Sequence, residues 1–196
     1  MPRSTAMSTD LIWRLAAEGR IFVASDADEN DLVTGQTSFA ATTPTFLLQV
    51  PAGTICVPLG LTLAQTGSVA GGAIDVIVYI DNTDRYSSGG TSELVFNPNG
   101  LSAGSAASPS ARTNLCTFYS SPTAIAGVGA RLWAATIGQD VSPAEGGAPG
   151  PSWAPPAPLF LTGPASLLVF TYAGTTGPTW FWSATWAEFP AGSGIG

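Results

Sequence analysis

The pattern of apolar residues changes at Arg20, and this change constrains the fold more than any other feature. Beyond it, apolar residues lose the helical period and fall in short segments rich in β-branched and aromatic side chains, separated by Gly, Pro, Asn, Asp and Ser. Such segments are typical of strands joined by turns, and 23 Gly and 16 Pro supply many turns. The predicted strands cover residues 21–24, 37–41, 45–50, 54–57, 59–65, 73–80, 92–96, 115–119, 131–137, 159–162, 166–172 and 179–189.

The length and spacing of these strands predict the architecture. A parallel sheet needs crossover helices, and no segment between the strands has a helix-length apolar pattern. Ten or so short strands in ~175 residues are the size of an antiparallel sandwich or barrel. The sequence therefore predicts an all-β fold, with an N-terminal arm over residues 1–22 and one strand domain over residues 23–196.

A short helix is predicted inside the arm. Ser8 or Thr9 would cap its start, and Gly19 would close it in the left-handed conformation. A helix of about ten residues is not stable alone, so its apolar stripe should lie against a partner surface. The predicted interface residues on this stripe are Leu11, Ile12 and Leu15.

Two predicted strands are apolar on both faces. In the strand 74–80, Ile74, Val76, Val78 and Ile80 share one face, while Ile77 and Tyr79 share the other. The strand 166–172 is apolar on both sides as well. In an antiparallel protein, this pattern indicates a second layer, a neighbouring subunit, or both.

A row of tryptophans marks the last strand. The two-residue period places Trp180, Trp182 and Trp186 on one face. If buried, these rings would be core residues or anchors of a subunit interface; if exposed, they would form a stacking platform for sugar rings. We predict the buried placement, and these three residues are the second group of predicted interface residues.

The composition excludes several kinds of chemistry. With no His and no Lys, the chain lacks a Ser-His-Asp or Cys-His nucleophile, a Schiff-base amine and a P-loop lysine. Six scattered Arg against thirteen acids give a net charge of −7, which disfavours binding of nucleic acid. We predict a non-enzymatic structural or binding protein without a cofactor.

The acidic residues do not form a recognisable site. Asp26, Asp28 and Asn30 have the spacing that opens an EF-hand loop, but Asp31 and Thr37 stand where that loop needs Gly and Glu. A solvated turn is the preferred interpretation there. It is also preferred for residues 81–84, where Asx turns and surface pairing of Asp84 with Arg85 are expected and a calcium site is the alternative.

Two further carboxylates lie inside predicted strands, at Asp75 and Glu188. A glycosidase needs two such groups facing each other across a cleft. Pairing with an Arg, or an exposed strand face, explains both residues without catalysis. We predict no catalytic residue and no metal site.

The two cysteines, Cys56 and Cys116, each lie in an apolar stretch. Two cysteines alone make neither a zinc site nor a disulfide framework. We predict buried free thiols; a single bridge is the alternative.

The sequence also predicts where the protein resides. Residues 1–20 are polar at the start and interrupted by Arg14 and Glu18, unlike the apolar core of a secretory signal. No run reaches the ~18 apolar residues of a membrane span. We expect synthesis in a host cytoplasm and no membrane partner.

Two long segments, 97–112 and 142–158, are predicted to be loops. The first is small and polar, and the second has six Pro, which favour extended geometry. Trp153 stands among these prolines, so we predict that its ring docks on a surface of the domain.

Four stretches carry a resemblance to a known architecture. They cover residues 59–66, 73–82, 158–172 and 180–189, and together they resemble the strands of a single jelly roll, as found in viral capsid and phage head-decoration (cement) proteins. The resemblance spans residues 45–189 and extends to trimeric ligands of the tumour-necrosis-factor type. It implies an antiparallel jelly-roll β-sandwich and a homotrimer, and it transfers no functional residues.

These observations predict a virion protein. The acidic balance suits an outer position on a shell, away from packaged nucleic acid, and the low charge suits a subunit that is never alone. We predict a jelly-roll decoration, cement or minor capsid subunit, a homotrimer partnered by the major capsid protein. The alternative is a carbohydrate-binding β-sandwich, a lectin or receptor-binding head; a secreted trimeric ligand is disfavoured by the missing signal.

Overall fold

The computed structural model describes residues 4–26, 32–66, 73–98, 113–127, 129–137 and 151–192. Within these ranges the chain forms one helix and fifteen strands. The elements are α1 Ser4–Ala17, β1 Ile21–Ser25, β2 Val33–Thr34, β3 Phe46–Val50, β4 Thr54–Thr66, β5 Ile74–Asp81, β6 Tyr86–Ser88, β7 Thr91–Ser92, β8 Val95–Phe96, β9 Thr117–Ser120, β10 Thr123–Ala124, β11 Ala130–Ile137, β12 Ser152–Trp153, β13 Leu161–Thr162, β14 Ala165–Ala173 and β15 Thr179–Pro190.

The strands form two main antiparallel sheets. Sheet 1 has the order β12-β4-β15-β1-β8, with β13 also paired to β4 and β2 paired to β15. Sheet 2 has the order β11-β5-β14-β3-β9-β7, and β6 pairs separately with β10. All strand pairs in these sheets are antiparallel. The prediction of an all-β antiparallel sandwich with one short helix is therefore confirmed.

The main core lies between the two sheets. The alternation of side chains along β5 sends Ile74, Val76 and Val78 into it, as predicted, and leaves Tyr79 on the outer face of sheet 2. Phe22 of β1 is also in this core, 2% exposed. Residues 21–22, assigned to the arm from the sequence, thus lie in the first strand of sheet 1.

A bulge in β4 decides which of its residues face inward. Thr185 pairs with Gly60 but Trp186 pairs with Pro58, so Leu59 is an extra residue on this strand. The extra residue reverses the alternation, and both Leu61 and Cys56 point into the core on either side of it. The two strands predicted at 54–57 and 59–65 are therefore one strand, which tolerates Pro58 beside the bulge.

The helix α1 ends as predicted but begins earlier. Gly19 has φ +66°, its N–H bonds to the Ala16 carbonyl, and the Arg20 N–H bonds to the Leu15 carbonyl, both at 2.9 Å. These two bonds form a Schellman motif, which satisfies the last carbonyls of the helix. Ser8 and Thr9 lie inside α1, so the predicted cap there is wrong.

Other strand predictions differ in detail. Residues 37–41 form no strand: Phe39 instead packs over the outer face of sheet 2, and the Thr43 N–H bonds to Ala40 in a turn. The segment 92–96 is divided between β7 and β8, which lie in different sheets. The short strands β2, β6, β10 and β12 were not predicted, because pairs of two or three residues have no periodicity to detect.

Candidate functional site

The tryptophan row of β15 lies inside the chain. Trp180, Trp182 and Trp186 are 0%, 5% and 1% exposed and belong to the core between the sheets. Trp182 contacts Phe118 at 5.0 Å and Phe46 at 5.1 Å between ring centroids. The three side chains are thus core residues of a single chain, and this structure offers them neither to a partner subunit nor to a sugar.

Glu188 follows this row into the interior and is 4% exposed. Its Oε2 accepts a 2.6 Å hydrogen bond from the Leu115 N–H, and its Oε1 accepts bonds of 3.1 Å from the Cys116 N–H and 2.7 Å from Trp186 Nε1. The carboxylate therefore fixes the start of the 115–120 segment against β15. The expected Arg partner is replaced by these three N–H groups.

The two cysteines lie beside this carboxylate. Cys56 is the cross-strand partner of Glu188, and both Cys56 and Cys116 are free and fully buried. A side-chain hydrogen bond with Cys56, followed by burial, raises the pKa of Cys116 far above its ordinary value. The prediction of buried free thiols is confirmed, and a thiol with such a pKa is a poor nucleophile.

The 81–86 turn is held by its own charged groups. Arg85 Nε and Nη2 donate to Asp81 Oδ2 at 2.8 and 2.5 Å, so Arg85 pairs with Asp81 and not, as predicted, with Asp84. Asp84 accepts bonds from Gln49 Nε2 at 2.6 Å and from the Tyr86 N–H at 3.0 Å. Both carboxylates serve the turn itself, in agreement with the turn interpretation.

The remaining acidic candidates do not form a metal or catalytic cluster. Asp75, in β5 of sheet 2, accepts a 2.6 Å hydrogen bond from Thr136 Oγ1, whereas Glu188 is buried on sheet 1, so the two do not face each other across a cleft. Most of the 26–31 stretch, and residues 99–112 and 142–150 of the predicted loops, lie outside the described residues. Within the described ranges, no group of three metal-ligating side chains occurs.

Trp153 docks as predicted from its proline-rich context. Its strand β12 pairs with Leu61 and Thr62 of β4, and the ring is 4% exposed in the main core. This contact holds the following segment, 155–158, beside the outer face of sheet 1. Prolines of that segment become one wall of a groove.

The groove lies between α1 and sheet 1 and is the largest apolar depression on the described surface that we find. It has a volume of about 560 Å³. Its floor comes from β4 and β15, and its walls come from α1 and the prolines. The residues that line it are Leu11, Ile12, Leu15, Val57, Pro58, Leu59, Pro155, Pro156, Ala157, Pro158, Phe160 and Phe189.

The helix is held to this face by only part of its apolar surface. Leu15 and Ala16 pack against a small outer cluster that includes Ile55 and Phe189. Leu11 and Ile12 are 56% and 47% exposed, although they line the groove. The predicted stripe of α1 is thus confirmed as an apolar surface, half against its own sheet and half open.

Trp13 is the most exposed large apolar side chain of the described residues, at 70%. It stands next to Leu11 and Ile12 in sequence, and Phe160, 47% exposed, lies on the opposite wall of the groove. Contiguous apolar surface of this kind marks interaction sites. Sequence analysis missed Trp13, because it stands outside the stripe that the helical period selects.

A second aromatic group covers the outer face of sheet 2. Phe39, 40% exposed, lies 6.2 Å from Tyr79, 5.0 Å from Phe170 and 6.1 Å from Tyr172 between ring centroids. Burial, followed by the charge of Asp75, raises the pKa of Tyr172. Partly exposed rings beside a carboxylate are one way in which proteins hold sugars.

Comparison with known proteins adds no identification: no family model, no curated protein and no solved structure matches this chain. Among the described residues, no helix is both long enough and apolar enough to span a membrane. The class that the structure defines is an all-β antiparallel sandwich with an open apolar surface beside its N-terminal helix.

Proposed function

We propose that this chain is a non-enzymatic structural protein of a virion. In this proposal it is a jelly-roll decoration, cement or minor capsid subunit, forms a homotrimer, and binds the major capsid protein on the outside of a viral or phage capsid. The observation that carries the proposal is the order of the strands in the two sheets.

The strand order supports a jelly-roll assignment. In a jelly roll, eight strands lettered B to I in chain order form the sheets B-I-D-G and C-H-E-F. Lettering β1, β3, β4, β5, β11, β12, β14 and β15 in this way makes sheet 1 read G-D-I-B and the main part of sheet 2 read F-E-H-C. The short strands β6 to β10 are then an insertion between E and F that extends both sheets at one side.

The step from fold to virion is an analogy, because jelly rolls also serve as lectins. Three features favour the virion. The net charge is −7 with no Lys, which suits an outer surface. The Trp row that would have stacked on sugars is buried. The open apolar surface beside α1 suits a subunit that functions in an assembly.

The test is whether the chain travels with particles. Particles from a culture of the encoding organism would be separated on a density gradient, and each fraction would be analysed by quantitative mass spectrometry. We expect this chain in the particle band at a fixed ratio to the major shell protein. If such particles lack the chain while the soluble fraction contains it, the proposal fails.

The second candidate is carbohydrate binding, and the ring group around Phe39 is the observation that favours it. A glycan array with the purified protein, run beside the variant Phe39→Ala, would separate the two functions. Binding of one glycan class that Phe39→Ala abolishes would favour the lectin. A lack of binding across the array would favour the structural role.

A further inference from the structure

The apolar side chains of α1 lie on two sides of the helix. Leu11, Ile12 and Leu15 line the groove. At roughly 100° per residue, Trp13 projects about 150° around the helix from the centre of these three. One chain thus presents an apolar knob on one side of α1 and an apolar groove on the other.

We infer that the groove binds Trp13 of a second copy of this chain, in a head-to-tail contact between neighbouring subunits. Because knob and groove are different surfaces, the contact is heterologous, and such contacts close into rings when the rotation between subunits permits. The inference deepens the proposed function and rests on it for the number of copies, which is three.

The area of the surface fits this occupant. Leu11, Ile12, Trp13 and Phe160 are each about half exposed or more, and together they offer on the order of 400–500 Å², given that an aromatic side chain alone can bury about 150–250 Å². A standard interface buries about 800 Å² per partner around an apolar centre. The four side chains therefore match the centre of an interface between two copies.

The groove is also large enough for the knob. Its volume, about 560 Å³, lies in the range of roughly 300–1,000 Å³ of pockets that bind whole small molecules. An indole ring is smaller than such a ligand. The prolines of one wall and Leu59 on the floor give it flat apolar surfaces to contact.

The charge distribution favours a second copy over an acidic or neutral partner. Residues 1–20 contain three Arg and two acids, a net charge of +1, whereas residues 21–196 contain three Arg and eleven acids, a net charge of −8. The helix region of one copy is therefore attracted to the domain of the next. Arg14, directly beside Trp13, carries part of this positive charge to the contact.

The first test is the mass in solution, measured by light scattering at several concentrations. We expect three times the chain mass of 19.9 kDa for the natural chain. Trp13→Arg on the knob and Ala157→Arg on the groove wall should each give the single-chain mass. Ile125→Arg is the matched control, since Ile125 is 49% exposed and is not a groove residue; it should keep the trimer.

The second test identifies the contact itself. Copies carrying Trp13→Cys and copies carrying Ala157→Cys would be mixed at low concentration, concentrated, and treated with a short bismaleimide. We expect crosslinked pairs in the mixture and few in either variant alone. Cys56 and Cys116 are fully buried and should not compete for the reagent.

Three results would overturn the inference: a natural chain that stays monomeric at all concentrations, a trimer that both Arg variants leave intact, or crosslinks between two Trp13→Cys copies as strong as those in the mixture. Circular dichroism of each variant excludes misfolding as the cause. A trimer that is absent from particles would contradict the proposed function alone, and a particle-bound monomer would contradict this inference alone.

Discussion

Trp186 Nε1 donates a 2.7 Å hydrogen bond to Glu188 Oε1, two residues further along the same face of β15. The carboxylate also receives the Leu115 and Cys116 N–H groups. A segment that is distant in sequence is thereby tied to the end of the tryptophan row. This contact is polar and lies inside an apolar core, so its replacement should be costly.

We expect Glu188→Gln to destabilise the fold by about 1–3 kcal/mol. The amide has one oxygen where three N–H groups now find two, and its NH₂ would face a donor, which leaves buried polar groups unsatisfied. Urea unfolding at neutral pH measures the change. Glu18→Gln is the control, because the Glu18 side chain is 48% exposed and pairs with Arg20 at the surface; it should change the free energy of unfolding by less than about 1 kcal/mol. Equal effects of the two variants would contradict the assigned role of Glu188.

Trp182 and Phe181 are adjacent residues of β15 on opposite faces, 5% and 41% exposed. Trp182→Ala removes a ring that contacts Phe46 and Phe118 and should cost about 3–5 kcal/mol. Phe181→Ala should cost less than about 1 kcal/mol. Thermal unfolding of both variants checks the difference, and a costly Phe181→Ala would mean that the outer face of sheet 1 is covered where this structure leaves it open.

Much of this sandwich could be predicted from local periodicity. The two-residue alternation in β15 and β5 places Trp182 and Val76 correctly, because each side chain's face follows from its position in a regular strand. The helix end at Gly19 was also predicted, since the left-handed cap depends on one residue type.

The groove and the buried polar contacts could not be predicted in this way. The Leu59 bulge reverses the alternation of β4 because of its pairing with β15, which no local pattern encodes. The groove then needs that bulge, α1 and the segment after Trp153 together. Glu188 looks like any strand carboxylate until residues 115 and 116, more than seventy positions away, bring their N–H groups to it.

Stability should fall with rising pH above about pH 9 because of Cys116. The unfolded thiol ionises near its ordinary pKa of 9.0, while the folded pKa is raised much higher. Below pH 9 both states are protonated and this group gives no pH dependence. Above it the unfolded state binds fewer protons, so the free energy of unfolding decreases by up to about 1.4 kcal/mol per pH unit.

Urea unfolding between pH 8 and pH 10 measures this slope, and Cys116→Ala should make it shallower. Tyr119 and Tyr172 also have raised pKa values, so a decline of the same sign should begin above pH 10 and persist in Cys116→Ala. An identical slope in the two proteins below pH 10 would show that Cys116 does not carry the effect.

The Schellman motif at Gly19 gives the last prediction. Because Gly19 has φ +66°, a Cβ there is strained, and Gly19→Ala should weaken the end of α1 by about 1 kcal/mol. Gly174→Ala is the matched control, since a Cβ at Gly174 meets nothing within 4 Å and its φ is not positive; it should be neutral or slightly stabilising. Hydrogen exchange of the Gly19 and Arg20 amides, whose bonds to Ala16 and Leu15 close the motif, measures the effect locally. Faster exchange in Gly19→Ala with the sandwich core unchanged is the expected result, and unchanged exchange at both amides would show that α1 does not depend on this cap.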